Sequence, residues 1–151
     1  MSKIRSKEQH NKVSGKTNGS QGCCAEQYPW FSFKNITKNS NYNLDMLSSG
    51  TEREQTLLGL YTRLNELSDM PWLYWMQQPK KTGLETLSYH EIKFKANPNI
   101  ELAKDTTLYI FRFDTYRGQG QGRIIGFKNA PCSVLHIIGY DLDFSAYNHG
   151  K

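Results

Sequence analysis

Long apolar runs are missing from this chain of 151 residues. No stretch approaches the ~20 consecutive apolar residues that span a bilayer. The N-terminus also lacks the apolar core of a secretory signal peptide. We therefore expect a cytoplasmic protein without a membrane partner.

Cysteine is scarce, with three residues in the whole chain. Cys23 and Cys24 are adjacent, which is a poor geometry for a structural bridge, and Cys132 stands alone near a predicted turn. No Cys-x-x-Cys or Cys/His spacing of a zinc site is present. The sequence therefore predicts no disulfide framework and no metal site, and we expect no cofactor.

Apolar residues are also rare in the first 25 residues, which are mainly Lys, Ser, Asn, Gln and Gly. Such a segment buries too little surface to offset the entropy of ordering. Its five cations and one carboxylate give it +4 of the chain's net charge of +5. We predict a disordered basic tail over 1–25 and a single α+β domain over 26–151. A charged tail of this kind is more often a solvated extension than a binding arm.

Two helices are expected in the first half of the domain. The aromatic stretch from Tyr28 to Lys34 can first dock a short strand or extended segment on the core. A capping-box pattern then precedes apolar residues at spacings of three and four, which predicts a helix over 52–67. The predicted buried stripe comprises Leu57, Leu60, Tyr61, Leu64 and Leu67. A second N-cap signal and Pro79 predict a short helix over 70–77.

The second half of the domain has the period of two that is typical of strands. Ile92 and Phe94 alternate with charged residues, and further strands are predicted over 107–114, 123–128 and 133–140. Short connections favour antiparallel hairpins. The fold expected is α+β, with two N-terminal helices packed on a small twisted, mainly antiparallel C-terminal sheet. Some of its strands are expected to be covered on both faces.

Cations collect on this strand half, and an antiparallel meander could bring them together on one concave patch. They are Lys93, Lys95, Arg112, Arg117, Arg123 and Lys128. Guanidinium groups bind phosphate bidentately and stabilise charge that develops in a transition state. The alternative is that these residues form ordinary surface salt bridges with Glu91, Asp114, Asp141 and Asp143.

Histidines and glycines add further candidates, each with a simpler alternative. His149 lies close to Tyr147, where it could transfer a proton, or it belongs to a frayed C-terminus. His136 alternates with apolar residues and is interpreted as a core histidine. The glycines of Gly118–Gly122 could approach a phosphate, although a mobile hairpin loop is the preferred interpretation.

Three segments carry a resemblance to known families. They are Tyr109-Ile110-Phe111-Arg112-Phe113, then Arg123-Ile124-Ile125-Gly126, and the ending Asp141-Leu142-Asp143-Phe144-Ser145-Ala146-Tyr147-Asn148-His149-Gly150. The chain resembles the RelE/ParE superfamily of bacterial toxins. It is also similar to a little-characterised bacterial and mobile-element family with an Asp-x-Asp-Phe-x-x-Tyr-x-His-Gly terminus.

The RelE resemblance implies a metal-independent endoribonuclease that cuts messenger RNA on the ribosome and has a cognate antitoxin. Arg123 and Arg112 would then hold the scissile phosphate, and Tyr147 or His149 would move a proton. The RNA-binding residues would be Lys93, Lys95, Arg117 and Lys128. ParE-like members act on gyrase instead.

Asp141 and Asp143 depart from the toxin pattern, because ribosome-dependent toxins commonly carry a basic residue in this segment. The acidic pair favours an alternative reading. In that reading the chain is a non-catalytic protein-binding module of a mobile element, which inhibits a host protein through an aromatic and acidic C-terminal surface. The sequence leaves both readings open.

Overall fold

The computed structural model describes residues 27–48, 50–129 and 132–148. The predicted tail and His149 lie outside the described residues. The described elements are β1 (Trp30–Ser32), α1 (Gly50–Ser68), α2 (Trp72–Met76), β2 (Leu84–Ser88), β3 (Thr107–Thr115), β4 (Gly118–Phe127) and β5 (Val134–Asp141), with short 3-10 turns before α1 and after β2. Among these residues, no helix combines the length and apolarity needed to cross a membrane.

The strands form one five-stranded mixed sheet in the order β1-β5-β4-β3-β2. β2 to β5 make an antiparallel meander, whereas β1 pairs with β5 in parallel. The expectation of two N-terminal helices on a C-terminal sheet is therefore wrong. The aromatic segment before the helices is itself an edge strand, and α1 is the one main helix among the described elements because α2 has only five residues.

Helix α1 begins and ends within two residues of the prediction, but it is rotated about its axis. Leu60 and Leu67 are buried as expected, whereas Leu57 and Tyr61 are exposed. The reason lies at Gly59, where an added Cβ would overlap the carbonyl oxygen of Asp114. Because glycine has no side chain, α1 can approach the β3 backbone at Gly59. The helix face around Gly59 therefore lies against the sheet, and the face that carries Leu57 and Tyr61 is exposed to solvent.

Both faces of the sheet are covered, as the alternation in β3 predicted. Phe111 and Phe113 belong to a core on the α1 side, together with Trp72 of α2. Leu108 and Ile110 belong to a second core on the other side. The sheet is therefore buried on both faces along its central strands.

The second core is covered by a segment that was predicted to be a strand. After β2, a 3-10 turn from Tyr89 to Glu91 redirects the chain, and Ser88 and Glu91 cap this turn. Ile92 and Phe94 then pack against the sheet face, and the Lys93 amide donates to the Ala146 carbonyl. Buried and exposed residues alternate here as predicted, but they belong to an extended segment that packs on the sheet face and is not one of its strands.

Candidate functional site

Three charged residues form a row across the centre of the sheet. Arg112 of β3 faces Arg123 of β4, and Arg123 faces Asp141 of β5. Arg123 Nη1 lies 3.2 Å from Asp141 Oδ2, and the side chains are 2% and 0% exposed. Alternation along the strands places all three on the face opposite α1. The carboxylate therefore neutralises Arg123 inside the protein.

Aromatic rings cover this ion pair. The Arg123 guanidinium carbon lies 4.0 Å from the ring centroid of Phe144 and 5.1 Å from that of Tyr147. Phe144 has a φ of 61°, which is uncommon for a bulky side chain. The segment after β5 thus folds back over Arg123, so an outside phosphate reaches this guanidinium only if that segment moves.

Tyr147 is also buried, and its hydroxyl donates to Glu85 Oε2 at 3.1 Å. Burial raises the pKa of Tyr147, and the nearby Arg123 opposes that rise. Held in its neutral form, this phenol ties β2 to the C-terminal segment. The geometry makes it a structural hydrogen-bond donor.

Asp141 and Asp143 organise the turn after β5. The Ser145 amide donates to Asp141 Oδ1 at 3.0 Å and to Asp143 Oδ1 at 3.1 Å. Burial raises the pKa of Asp141, and Arg123 offsets part of that rise. Because Asp141 is enclosed, it cannot form part of an acidic docking surface.

The other predicted cations lie apart from the row. Lys93 and Lys95 are exposed on the segment that covers the second core. Arg117 lies in the β3–β4 turn, where its Nε donates to Tyr116. Lys128 Nζ lies 4.0 Å from the ring centroid of Trp72. The structure therefore brings Arg112, Arg123 and Tyr147 together, but it does not gather the lysines and Arg117 into one patch.

The glycine-rich segment and His136 both lie in strands of the sheet. The glycines of 118–122 begin β4 and do not form a long loop, since the turn itself occupies residues 116 and 117. His136 is half-buried and stacks on Phe127 with 5.0 Å between ring centroids. Burial lowers the pKa of His136, which fits a packed neutral imidazole.

The outer surface also carries an apolar groove between β1 and α1. We call it the β1–α1 surface, and its residues are Tyr28, Trp30, Phe31, Phe33, Ile36, Leu44, Leu57, Tyr61 and Leu64. It consists of two adjoining pockets of about 520 and 510 Å³, and both are lined by Phe33, Tyr61 and Leu64. Tyr61 is 70% exposed and Trp30 is 68% exposed.

This surface also contains an open sheet edge. The Trp30 amide donates to the Ser133 carbonyl of the neighbouring chain segment at 3.4 Å. In a parallel ladder, alternate residues direct their backbone groups to the same neighbour. The N–H and C=O groups of Phe31 therefore point away from β5, to a side where no described strand pairs.

Sequence reasoning missed the β1–α1 surface as a site. Its signal was the aromatic density of Tyr28 to Phe33, which was interpreted as a segment docked on the core. The apolar stripe of α1 was likewise assigned wholly to the core. When the apolar face of a helix is wider than its contact with the core, some of its apolar residues stay exposed to solvent.

Among residues 27–48, 50–129 and 132–148, no three His, Cys, Asp or Glu side chains cluster as a metal site would require. No protein-family model, curated protein or solved structure matches the chain. The resemblance to RelE/ParE toxins therefore stays a prediction.

Proposed function

We propose that this protein is a non-catalytic protein-binding module that docks an extended, apolar segment of a partner protein on the β1–α1 surface. The observation that supports this proposal is one continuous surface that combines exposed aromatic rings with an unpaired strand edge. A host protein inhibited by this docking is the partner that the mobile-element resemblance suggests.

The size of the surface supports a specific interface. Buried aromatic side chains contribute about 150–250 Å² each, so the exposed fractions of Tyr28, Trp30, Phe33 and Tyr61 together amount to roughly 350–550 Å². A standard interface buries about 800 Å² per partner. The neighbouring leucines and backbone of the groove can supply the remainder. Tyrosine and tryptophan are also the residues most often found at binding hot spots.

The shape and charge of the surface define the occupant. An extended segment adds to a sheet edge through main-chain hydrogen bonds and places alternate side chains in adjoining pockets. Phe31 supplies the edge, and the two pockets lie beside it. Asp45 is the one Asp, Glu, Lys or Arg among the described residues lining them. The complementary segment is therefore apolar at alternate positions and carries a Lys or Arg at the end that reaches Asp45.

Selection from a displayed library of short random peptides against the full chain tests this proposal. We expect enriched peptides with alternating apolar residues and one terminal basic residue. Phe33→Ser and Tyr61→Ser should each weaken a selected peptide by about 30-fold, the loss typical of a hot-spot residue. Leu73→Ser and Met76→Ser are matched controls, because these exposed side chains lie outside both pockets. They should leave the affinity unchanged.

Three outcomes would contradict the proposal. The first is a library without enriched peptides, or with binding that is insensitive to Phe33 and Tyr61. The second is displacement of the selected peptide by a synthetic peptide of residues 1–26, which would assign the surface to the chain's own N-terminus. The third is self-association of the full chain that Tyr61→Ser abolishes, which would assign it to a second copy.

RNA cleavage is a second candidate, supported by the position of Arg112 and Arg123 as cross-strand neighbours beside Tyr147. Under this proposal Arg112 makes the first phosphate contact, and the segment after β5 moves to uncover Arg123. Messenger RNA incubated with the full chain, with and without ribosomes, provides the test. Cleavage that resists a chelator and is lost in Arg112→Ala would favour this candidate, whereas intact RNA under both conditions would eliminate it.

A further inference from the structure

A second concave site lies at the opposite edge of the sheet from β1. The pairing of β2 with β3 ends where Leu84 faces Phe111, so the last residues of β3 continue beyond β2. Helix α1, the loop before β2 and the β3–β4 hairpin enclose a cleft of about 750 Å³ beside them. We call it the edge cleft. Its charged lining residues are Arg63, Glu66, Lys81, Arg112 and Asp114.

Several of these charges are already engaged within the protein. Arg63 Nη1 lies 3.1 Å from Glu66 Oε2, and its Nη2 donates to the Thr82 carbonyl at 2.7 Å. Asp114 Oδ1 accepts a hydrogen bond from the Gly120 amide at 2.7 Å. Both carboxylates of the cleft therefore have partners, which leaves Arg112 and Lys81 as the cations to be explained.

Arg112 lacks the compensation that its cross-strand neighbour has. Arg123 faces Asp141 on its other side, whereas no carboxylate among the described residues pairs with Arg112. Its Nε is buried and has no hydrogen-bond partner there, which also holds for the Nε of Arg63. Like charges directly opposite each other in a sheet are destabilising.

The β3–β4 hairpin lies beside the stem of this arginine. A Cβ at Gly120 would lie 3.9 Å from Arg112 Cδ, and Gly120 has a φ of 63°, a conformation that favours glycine. The hairpin thus turns tightly beside the stem of Arg112, which leaves the sheet on the face opposite α1 and reaches the cleft beside Gly120. Gln55, Thr62 and Gln119 add neutral polar side chains to the cleft wall.

We infer that the edge cleft binds a phosphomonoester, with Arg112 and Lys81 contacting the phosphate. A guanidinium fork matches two phosphate oxygens, and a lysine adds a point charge. The volume lies within the range of sites for small molecules of nucleotide size. The phosphate would compensate the charge of Arg112, which no carboxylate among the described residues compensates.

Calorimetric titration of the full chain tests this inference, with inorganic phosphate and AMP as probes and sodium chloride at matched ionic strength as the blank. Binding of both probes is expected, and tighter binding of AMP would identify a nucleotide as the source of the phosphate. Arg112→Gln and Lys81→Gln should each lower the affinity by about tenfold or more, as expected for a charge-assisted hydrogen bond. Arg117→Gln is the matched control and should change the affinity less than twofold.

Thermal melts separate this role from a structural one. Because Arg112 carries an uncompensated charge, Arg112→Gln should melt at the same temperature as the parent chain or higher in the absence of phosphate. It should also lose the stabilisation that phosphate gives the parent. The inference is overturned if neither probe binds, if Arg112→Gln binds as tightly as the parent, or if an RNA oligonucleotide binds at Arg112 while AMP does not.

Discussion

Arg123 and Asp141 form a buried ion pair that joins β4 to β5, with 3.2 Å between Nη1 and Oδ2. The rings of Phe144 and Tyr147 close over the guanidinium. Removing one partner of such a pair leaves an uncompensated charge in a water-excluded site. Arg123 thus holds the C-terminal segment on the sheet through its contacts with Phe144 and Tyr147. Asp141 on the adjacent strand supplies the negative charge that a buried arginine needs.

Arg123→Ala should therefore lower the free energy of unfolding by about 3–5 kcal/mol, the cost typical of breaking a buried pair. Urea unfolding followed by circular dichroism measures this change. Arg117→Ala is the control, because this exposed turn arginine should change stability by no more than about 0.5 kcal/mol. Equal unfolding midpoints for the two variants would mean that the pair is not buried as described.

Gly59→Ala should destabilise the protein although alanine is the better helix former. The propensity gain is about 1 kcal/mol, but the new Cβ would overlap the Asp114 carbonyl and force α1 away from β3. We expect a net loss of about 1–3 kcal/mol, as for other overpacked sites. Gly50 lies in the same helix, and a Cβ added there would meet no described atom from another part of the fold within 4 Å. Gly50→Ala should be neutral or slightly stabilising in the same unfolding experiment, and a stabilised Gly59→Ala would refute the close approach of α1.

Alkaline pH should destabilise the fold through Tyr140. Burial raises the pKa of Tyr140 from 10.0 to about 12. Since the unfolded phenol ionises first, the stability from this group is complete below pH 10 and is lost as the pH rises toward 12. The slope for one such group is about 1.4 kcal/mol per pH unit.

Urea midpoints measured at several pH values up to 11.5 follow this loss. Tyr140→Phe keeps the ring that packs on Phe113. This variant should match the parent at pH 7 and lose less stability between pH 10 and 11.5. Identical alkaline slopes for the two proteins would show that Tyr140 ionises freely in the folded state.

Local patterns predicted those parts of the fold that depend on near neighbours. The bounds of α1 and the alternation in β3 follow from periodicity, and both agree with the structure within a residue or two. The parallel pairing of Trp30 with Val134 could not be predicted, because it joins residues far apart in the chain. The rotation of α1 could not be predicted either, since it depends on the contact between Gly59 and Asp114.

The candidate site shows the same division. Sequence reasoning named Arg112, Arg123 and Tyr147, and the structure places all three on one sheet face. It named Asp141 among four possible surface salt-bridge partners, but it could not assign Asp141 to Arg123 or predict that the pair is buried, because both depend on the register between β4 and β5. It also treated Tyr61 as a core residue, because periodicity identifies an apolar face without showing how much of that face is covered.

The most direct test of the docking proposal is amide hydrogen exchange at Phe31, measured by NMR on the full chain with and without the selected peptide. The Phe31 amide faces the open edge of β1, so an added strand should hydrogen-bond to it and slow its exchange by about tenfold or more. Chemical shifts should change at Phe33 and Tyr61 in the same experiment, and the exposed control residues Leu73 and Met76 should stay unchanged. An unprotected Phe31 amide, with shift changes confined to another surface, would contradict the proposal.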